Sequence, residues 1–179
     1  MVILGIDPGS RVTGFGVLEK GRYDLSEICH GEVVIRPGQS LSSFLAHLYE
    51  TLREVVERTR PEAVAVEEVF YGKNVKSLIT QGQVRGVAIL AGSTGGLPVF
   101  EYSPLEVKKA VVGYGRAEKA QVQRMVKAIL GLAEVPGRDA ADALAVAICH
   151  AHTGGGPLGT GMERGLTAAS GLRFLRGRG

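Results

Sequence analysis

The chain of 179 residues has no apolar run near the ~18 residues that a membrane-spanning helix requires. Its opening residues lack the basic stretch of a secretory signal, so export and membrane anchoring are not expected. Cysteine is scarce. Cys29 and Cys149 lie far apart with no CxxC spacing, which excludes a zinc knuckle and a disulfide framework and fits a reducing cytoplasm. There is no internal repeat. What is present is ordinary for a globular domain: 45% hydrophobic residues, 22% charged and a net charge of +3.

The charge is unevenly placed. Residues 1–69 hold eleven acids and seven bases, whereas residues 70–127 hold three acids against nine bases. A basic segment beside an acidic one points to a polyanionic partner, nucleic acid first.

Along the chain, "VILGID" (2–7) reads as a buried strand and "VTGFGVLE" (12–19) as a second. A third lies within 23–35, around "GEVVI". Tight connections between them suggest an antiparallel meander. Leu41, Phe44, Leu45, Leu48, Leu52, Val55 and Val56 recur at helical spacing to about Thr59. "AVAVEEV" (63–69) begins as a nearly continuous apolar run, as expected of a central strand covered on both faces. A helix over 74–92 and a strand over 98–102 follow. Ser103, Pro104 and Glu106 form the start of another helix as a capping box. Residues 117–132 are amphipathic and stop near Gly131, and 139–152 form a final Ala-rich helix. The order predicts an α/β domain over 1–153: a five-stranded mixed sheet with helices on both faces. Residues 154–179, with nine glycines and four arginines, read as a flexible basic tail.

Asp7 ends the first strand, Glu67 and Glu68 end the fourth, and Asp139 and Asp142 share one face at the start of the last helix. Each has a local explanation: a turn residue in Asp-Pro-Gly, strand-exit acids reaching water, and an N-cap with a first-turn acid. If strands one and four are neighbours, however, these segments bring carboxylates together. Acids at close range raise one another's pKa unless a cation intervenes. An all-oxygen set without His or Cys favours Mg²⁺ or Mn²⁺. His150 and His152 lie ~16 Å along the helix from Asp139, too far to share its ligands. A carboxylate cluster beside a basic face suits two-metal phosphodiester hydrolysis.

The stretches "GIDPGSRVTGFGV", "AVEEVF", "GQVRGVAIL", "VFEYSP", "VKKAVVGYGRAEKAQVQ" and "DAADALAVAICHAH" resemble, in order from residue 1 to about 153, the RuvC family of bacterial Holliday-junction resolvases. The resemblance implies a ribonuclease-H-like fold and a homodimer. It implies paired Mg²⁺-dependent nicks on opposed strands of a four-way junction, a T-rich sequence preference and cooperation with the RuvAB branch-migration complex. Spacing alone leaves Glu67 and Glu68 open; the match to "AVE-x-VF" selects Glu67, and Glu68 stands where the family often has Gln. Catalytic and metal-binding roles thus fall on Asp7, Glu67, Asp139 and Asp142, with two Mg²⁺ (or Mn²⁺ as substitute), and on Lys119 as a basic catalytic group. DNA contacts are expected from Phe70, Lys73, Lys76, Arg85, Lys108, Lys109, Arg116 and Lys119. For Phe70 the alternative is core packing, and for the lysines a solvated helix surface. The 74–92 helix, with Gly82, Gly86, Ala88 and Ala91 among apolar residues, is the expected dimer face. Two other readings remain at this point: a junction-binding module without catalysis, and an actin-like or sugar-kinase-like ATP-binding protein, because "GIDPG" also resembles a phosphate loop. The latter needs a second domain for which the chain is too short.

Overall fold

Alternation of buried side chains along the first strand already tells how the layers sit. Ile3 packs to one side, Leu4 and Ile6 to the other, and all three are fully buried. A strand buried on both faces must lie between two helical layers. A computed structural model of the chain describes residues 1–68 and 75–154. In chain order it has β1 (Val2–Asp7), β2 (Val12–Lys20), β3 (Leu25–Val34), α1 (Leu41–Thr59), β4 (Ala63–Glu67), α2 (Val75–Ser93), β5 (Val99–Tyr102), α3 (Pro104–Val112), α4 (Lys119–Leu130) and α5 (Arg138–Thr153). The sheet order is β3-β2-β1-β4-β5. The meander β1–β2–β3 is antiparallel, and β4 runs parallel to both β1 and β5.

On one face, Leu4, Ile6, Val17, Val64 and Val66 meet Phe44, Leu48 and Leu52 of α1 and Val84, Ala88 and Ala91 of α2. On the other, α5 lies on the sheet with α3 and α4 outside it. From Ala143 to Ala151 every residue of α5 is buried, the mark of a helix enclosed on all sides. Its alanines are one half of that fit. The other half is glycine on the strands: a Cβ on Gly5 would come 2.2 Å from the Ala143 carbonyl oxygen, and one on Gly14 would come 1.9 Å from that of Asp139.

The helix ends follow local chemistry. Ser40 caps α1 by accepting the Ser43 N–H, and Ser103 with Glu106 closes the expected capping box on α3. Three boundaries differ from the sequence reading. β3 starts at Leu25 because pairing with Lys20 and Glu19 recruits a polar segment, Ser26–His30, that has no strong strand pattern. β4 stops at Glu67, although the Glu68 N–H still bonds the Tyr102 carbonyl at 2.9 Å. The N-cap of α5 is Gly137, not Asp139, which stands inside the first turn. Among the described residues no helix is long and apolar enough to cross a membrane.

Candidate active site

The carboxylates are placed by register. Ile6 pairs with Val66 in the parallel β1–β4 ladder, so the next residues, Asp7 and Glu67, end adjacent strands side by side. Both follow the odd-numbered positions that face α5. Asp7 also pairs with Gly14 of β2, and the missing side chain there admits the first turn of α5, which carries Asp139, with Asp142 following in the next turn. Glu68, one residue further along, is exposed.

The electrostatics are those of crowded acids. Burial, then the charge of Asp142, pushes Asp7 up to about 6. Burial, then the charge of Asp7, pushes Glu67 up to about 8, and a hydrogen bond between the two carboxyls favours the proton on Glu67. Asp139 is raised by burial first, then by Glu32 and Asp142. Lys119 offsets them in part: its Nζ, at the start of α4, donates to Asp142 Oδ2 at 2.8 Å, with Lys119 half exposed and Asp142 mostly covered. The four acids share one electrostatic neighbourhood without closing into a ligand shell. Among the described residues, no three or more His, Cys, Asp or Glu side chains stand in metal-holding geometry. The donor chemistry nevertheless fits a hard divalent cation, because the set is all oxygen and burial and mutual repulsion hold Asp7 and Glu67 above the usual carboxylate range, which a bound cation would relieve.

The expected DNA contacts divide. Phe70 and Lys73 lie outside the described residues. Lys76, Lys109 and Arg116 are exposed, on α2, on α3 and just before α4 respectively, and Lys108 is half-buried on α3. Arg85 does not belong with them as a surface cation. Its guanidinium bonds Glu101 at 2.6 Å, tying α2 to β5, and its Nε is buried with no hydrogen-bond partner among the described residues. Charge pattern along the chain does not reveal this pair, because the Glu101 partner comes from a separate element, β5. His150 is buried against Tyr102, with Nδ1 2.7 Å from the phenol oxygen, and His152 Nδ1 lies 3.1 Å from the Ala110 carbonyl. One carboxylate near the site was not anticipated: Glu32 of β3, whose Oε1 accepts the Ala140 N–H at 3.2 Å.

The family model for the crossover junction endodeoxyribonuclease RuvC matches residues 3–150. The chain belongs to the RuvC family. Relatives bearing that name include the protein of Citrifermentans bemidjiense, 52% identical over 87% of this chain and 94% of its own length. That of Pelotomaculum thermopropionicum is 52% identical over 85% and 93%. Among solved structures, Thermus thermophilus RuvC in complex with a Holliday junction substrate superposes with a TM-score of 0.79, at 38% identity over 84% of this chain and 93% of that one. The yeast mitochondrial Holliday junction resolvase, at 13% identity and a TM-score of 0.60, shares the fold. The α/β architecture is thus that of RuvC and the ribonuclease-H-like resolvases.

Proposed function

We infer that the protein is a crossover junction endodeoxyribonuclease, which resolves four-way DNA junctions by nicking opposed strands. The observation that carries this reading is the corner where β1, β4 and α5 converge in a RuvC-family chain, with Asp7, Glu67 and Asp142 in one field and Lys119 beside them. Asp7, Glu67, Asp139 and Asp142 would hold divalent cations, two Mg²⁺ in this proposal, with Mn²⁺ as a substitute. Bound there, the cations would supply an acidified water and neutralise charge on the leaving 3′ oxygen.

The chain's own contribution is position and charge. Asp7 and Glu67 are fixed on the ends of paired strands, so their spacing is set by the ladder rather than by a loop. Asp139 and Asp142 ride on a helix whose buried alanines lock it to the sheet. Lys119, paired with Asp142 at the edge of that corner, would meet a phosphate oxygen there. Lys76, Lys108, Lys109 and Arg116, together with Phe70 and Lys73, would bind the junction; Arg85 is given a structural role instead.

A homodimer fits the near two-fold symmetry of a four-way junction. Its face is α2, where Val75, Ile79 and Leu90 are exposed at 67%, 60% and 55% along one stripe that also carries Gly82 and Gly86. Sedimentation of Ile79→Glu tests this: a monomer is expected, and an unchanged dimer would move the interface elsewhere. The nuclease domain would end near residue 153, with the RuvAB complex as functional partner and the cytoplasm as the place of action. Asp7→Asn, Glu67→Gln, Asp139→Asn and Asp142→Asn should each abolish nicking of a synthetic junction and spare its binding, since phosphate contacts dominate affinity. An active Glu67→Gln beside an inactive Glu68→Gln would overturn the assignment.

A further inference from the structure

Asp7, Gly14 and Glu32 form a row across three strands: Asp7 pairs with Gly14, and Gly14 pairs with Glu32. The first turn of α5 lies in the gap at Gly14, so one carboxylate of the row stands on each side of it. On the Asp7 side is the proposed metal corner. The Glu32 side has no part in the reading above.

The first N–H groups of a helix have no partner within it and are usually capped by a side chain from the N-cap residue. In α5 that residue is Gly137, which has no side chain to offer. Glu32 takes over from a strand 108 residues away: its Oε1 accepts the N–H of Ala140, the third residue of the helix. The same oxygen lies 2.5 Å from where a Gly137 Cβ would be, so the carboxylate occupies the space that a local cap would use. Ala140 is the immediate neighbour of Asp139, and whatever fixes the Ala140 amide fixes the backbone of Asp139.

We propose that Glu32 is a positioning residue, which caps α5 from across the sheet and thereby sets where Asp139 stands relative to Asp7. This rests on the proposed role of Asp139 as a metal ligand. The carboxylate oxygen, as acceptor, is what matters; Gln supplies an equivalent oxygen, and Ala supplies none. A serine at position 137 could supply one locally once the Glu32 carboxylate is gone, because the backbone there (φ −50°, ψ 157°) suits any residue.

The test uses Glu32→Ala, Glu32→Gln and the double variant Glu32→Ala/Gly137→Ser. Three quantities are read on the full chain: amide exchange at Ala140 and Ile148 without metal, Mg²⁺ binding by calorimetry, and the Mg²⁺ concentration for half-maximal nicking. Glu32→Ala should speed exchange at Ala140 about fivefold, as for a lost cap, and leave Ile148 unchanged. It should also weaken Mg²⁺ binding and raise the half-maximal concentration about tenfold, the low end for a lost outer-shell partner. Glu32→Gln and the double variant should return all three toward wild type. Unchanged Ala140 exchange in Glu32→Ala overturns the cap, and equal acceleration at Ile148 replaces local positioning by general destabilisation. A double variant that restores Ala140 protection but not Mg²⁺ binding overturns positioning through the cap. Wild-type protein that neither binds Mg²⁺ nor nicks would sink the functional reading and the ligand-positioning claim with it, while the Ala140 amide would still decide the cap.

Discussion

Adding one methyl group at Gly14 should disable the enzyme without touching a carboxylate. The Cβ of Gly14→Ala would sit 1.9 Å from the Asp139 carbonyl oxygen and 2.4 Å from its carbonyl carbon, where ordinary contact begins near 3.4 Å. Neither neighbour is a flexible side-chain tip; both are backbone. The first turn of α5 must therefore lift, or β2 sink, by about 1.5 Å, at a cost of roughly 1–3 kcal/mol for overpacking. Asp139 moves with that turn, and Asp142 follows on the same helix. A displacement of about 1 Å at a reacting centre costs on the order of 100-fold in rate. Thermal melts together with single-turnover nicking of a synthetic junction separate the two effects: a modest fall in melting temperature and a loss of rate near 100-fold are expected. Gly95→Ala is the control, since a Cβ there would come no nearer than 3.7 Å to any neighbour and should leave folding and nicking intact. A folded Gly14→Ala protein that nicks at the wild-type rate would refute the claim that close approach of α5 to β2 positions the site.

The pH dependence of metal-free stability should carry two signatures. Glu67 titrates near 8 when folded, above its ordinary 4.5, so its contribution is complete at low pH and lost as pH rises through 8. Glu67→Gln should flatten that alkaline loss, on the order of 3 kcal/mol, in urea melts between pH 5 and 9, and an unchanged slope would mean that Glu67 is not crowded. Burial lowers the pKa of His150; the unfolded chain then binds the extra proton first, and stability should fall as pH drops through 6.5. Tyr102→Phe removes the partner of His150 Nδ1 and should cost about 1–3 kcal/mol at neutral pH, with melts that match wild type arguing against the bond.

Much of the architecture was legible because burial imposes periods. Phe44, Leu48 and Leu52 mark the inner face of α1, and Ser103 with Glu106 announces the start of α3. Asp7, Asp139 and Asp142 stood out as acids beside apolar runs. Spacing could not choose between Glu67 and Glu68, because alternation says only that they point apart, and the choice of Glu67 came from its motif match; the register of β1 on β4 puts Glu67 beside Asp7. Glu32 was invisible for a similar reason. It is an ordinary polar residue in an alternating edge strand, and only the row through Gly14 carries it to α5. The Arg85–Glu101 pair was invisible because a cation in a basic segment looks the same whether it faces solvent or a carboxylate on another element. The cap on α4 was overlooked because Glu118 with Gln121 departs from the usual Ser or Thr at the first place of the box.

On this reading the carboxylate corner cuts four-way junctions with the help of divalent cations. A synthetic junction labelled in turn on each of its four strands tests it most directly, with products mapped at nucleotide resolution in Mg²⁺ and in chelator. Symmetric nicks confined to two opposed strands are expected in Mg²⁺, none in chelator, and none in either from Asp7→Asn. Junction binding without nicks in Mg²⁺, or nicks that persist in chelator, would contradict it.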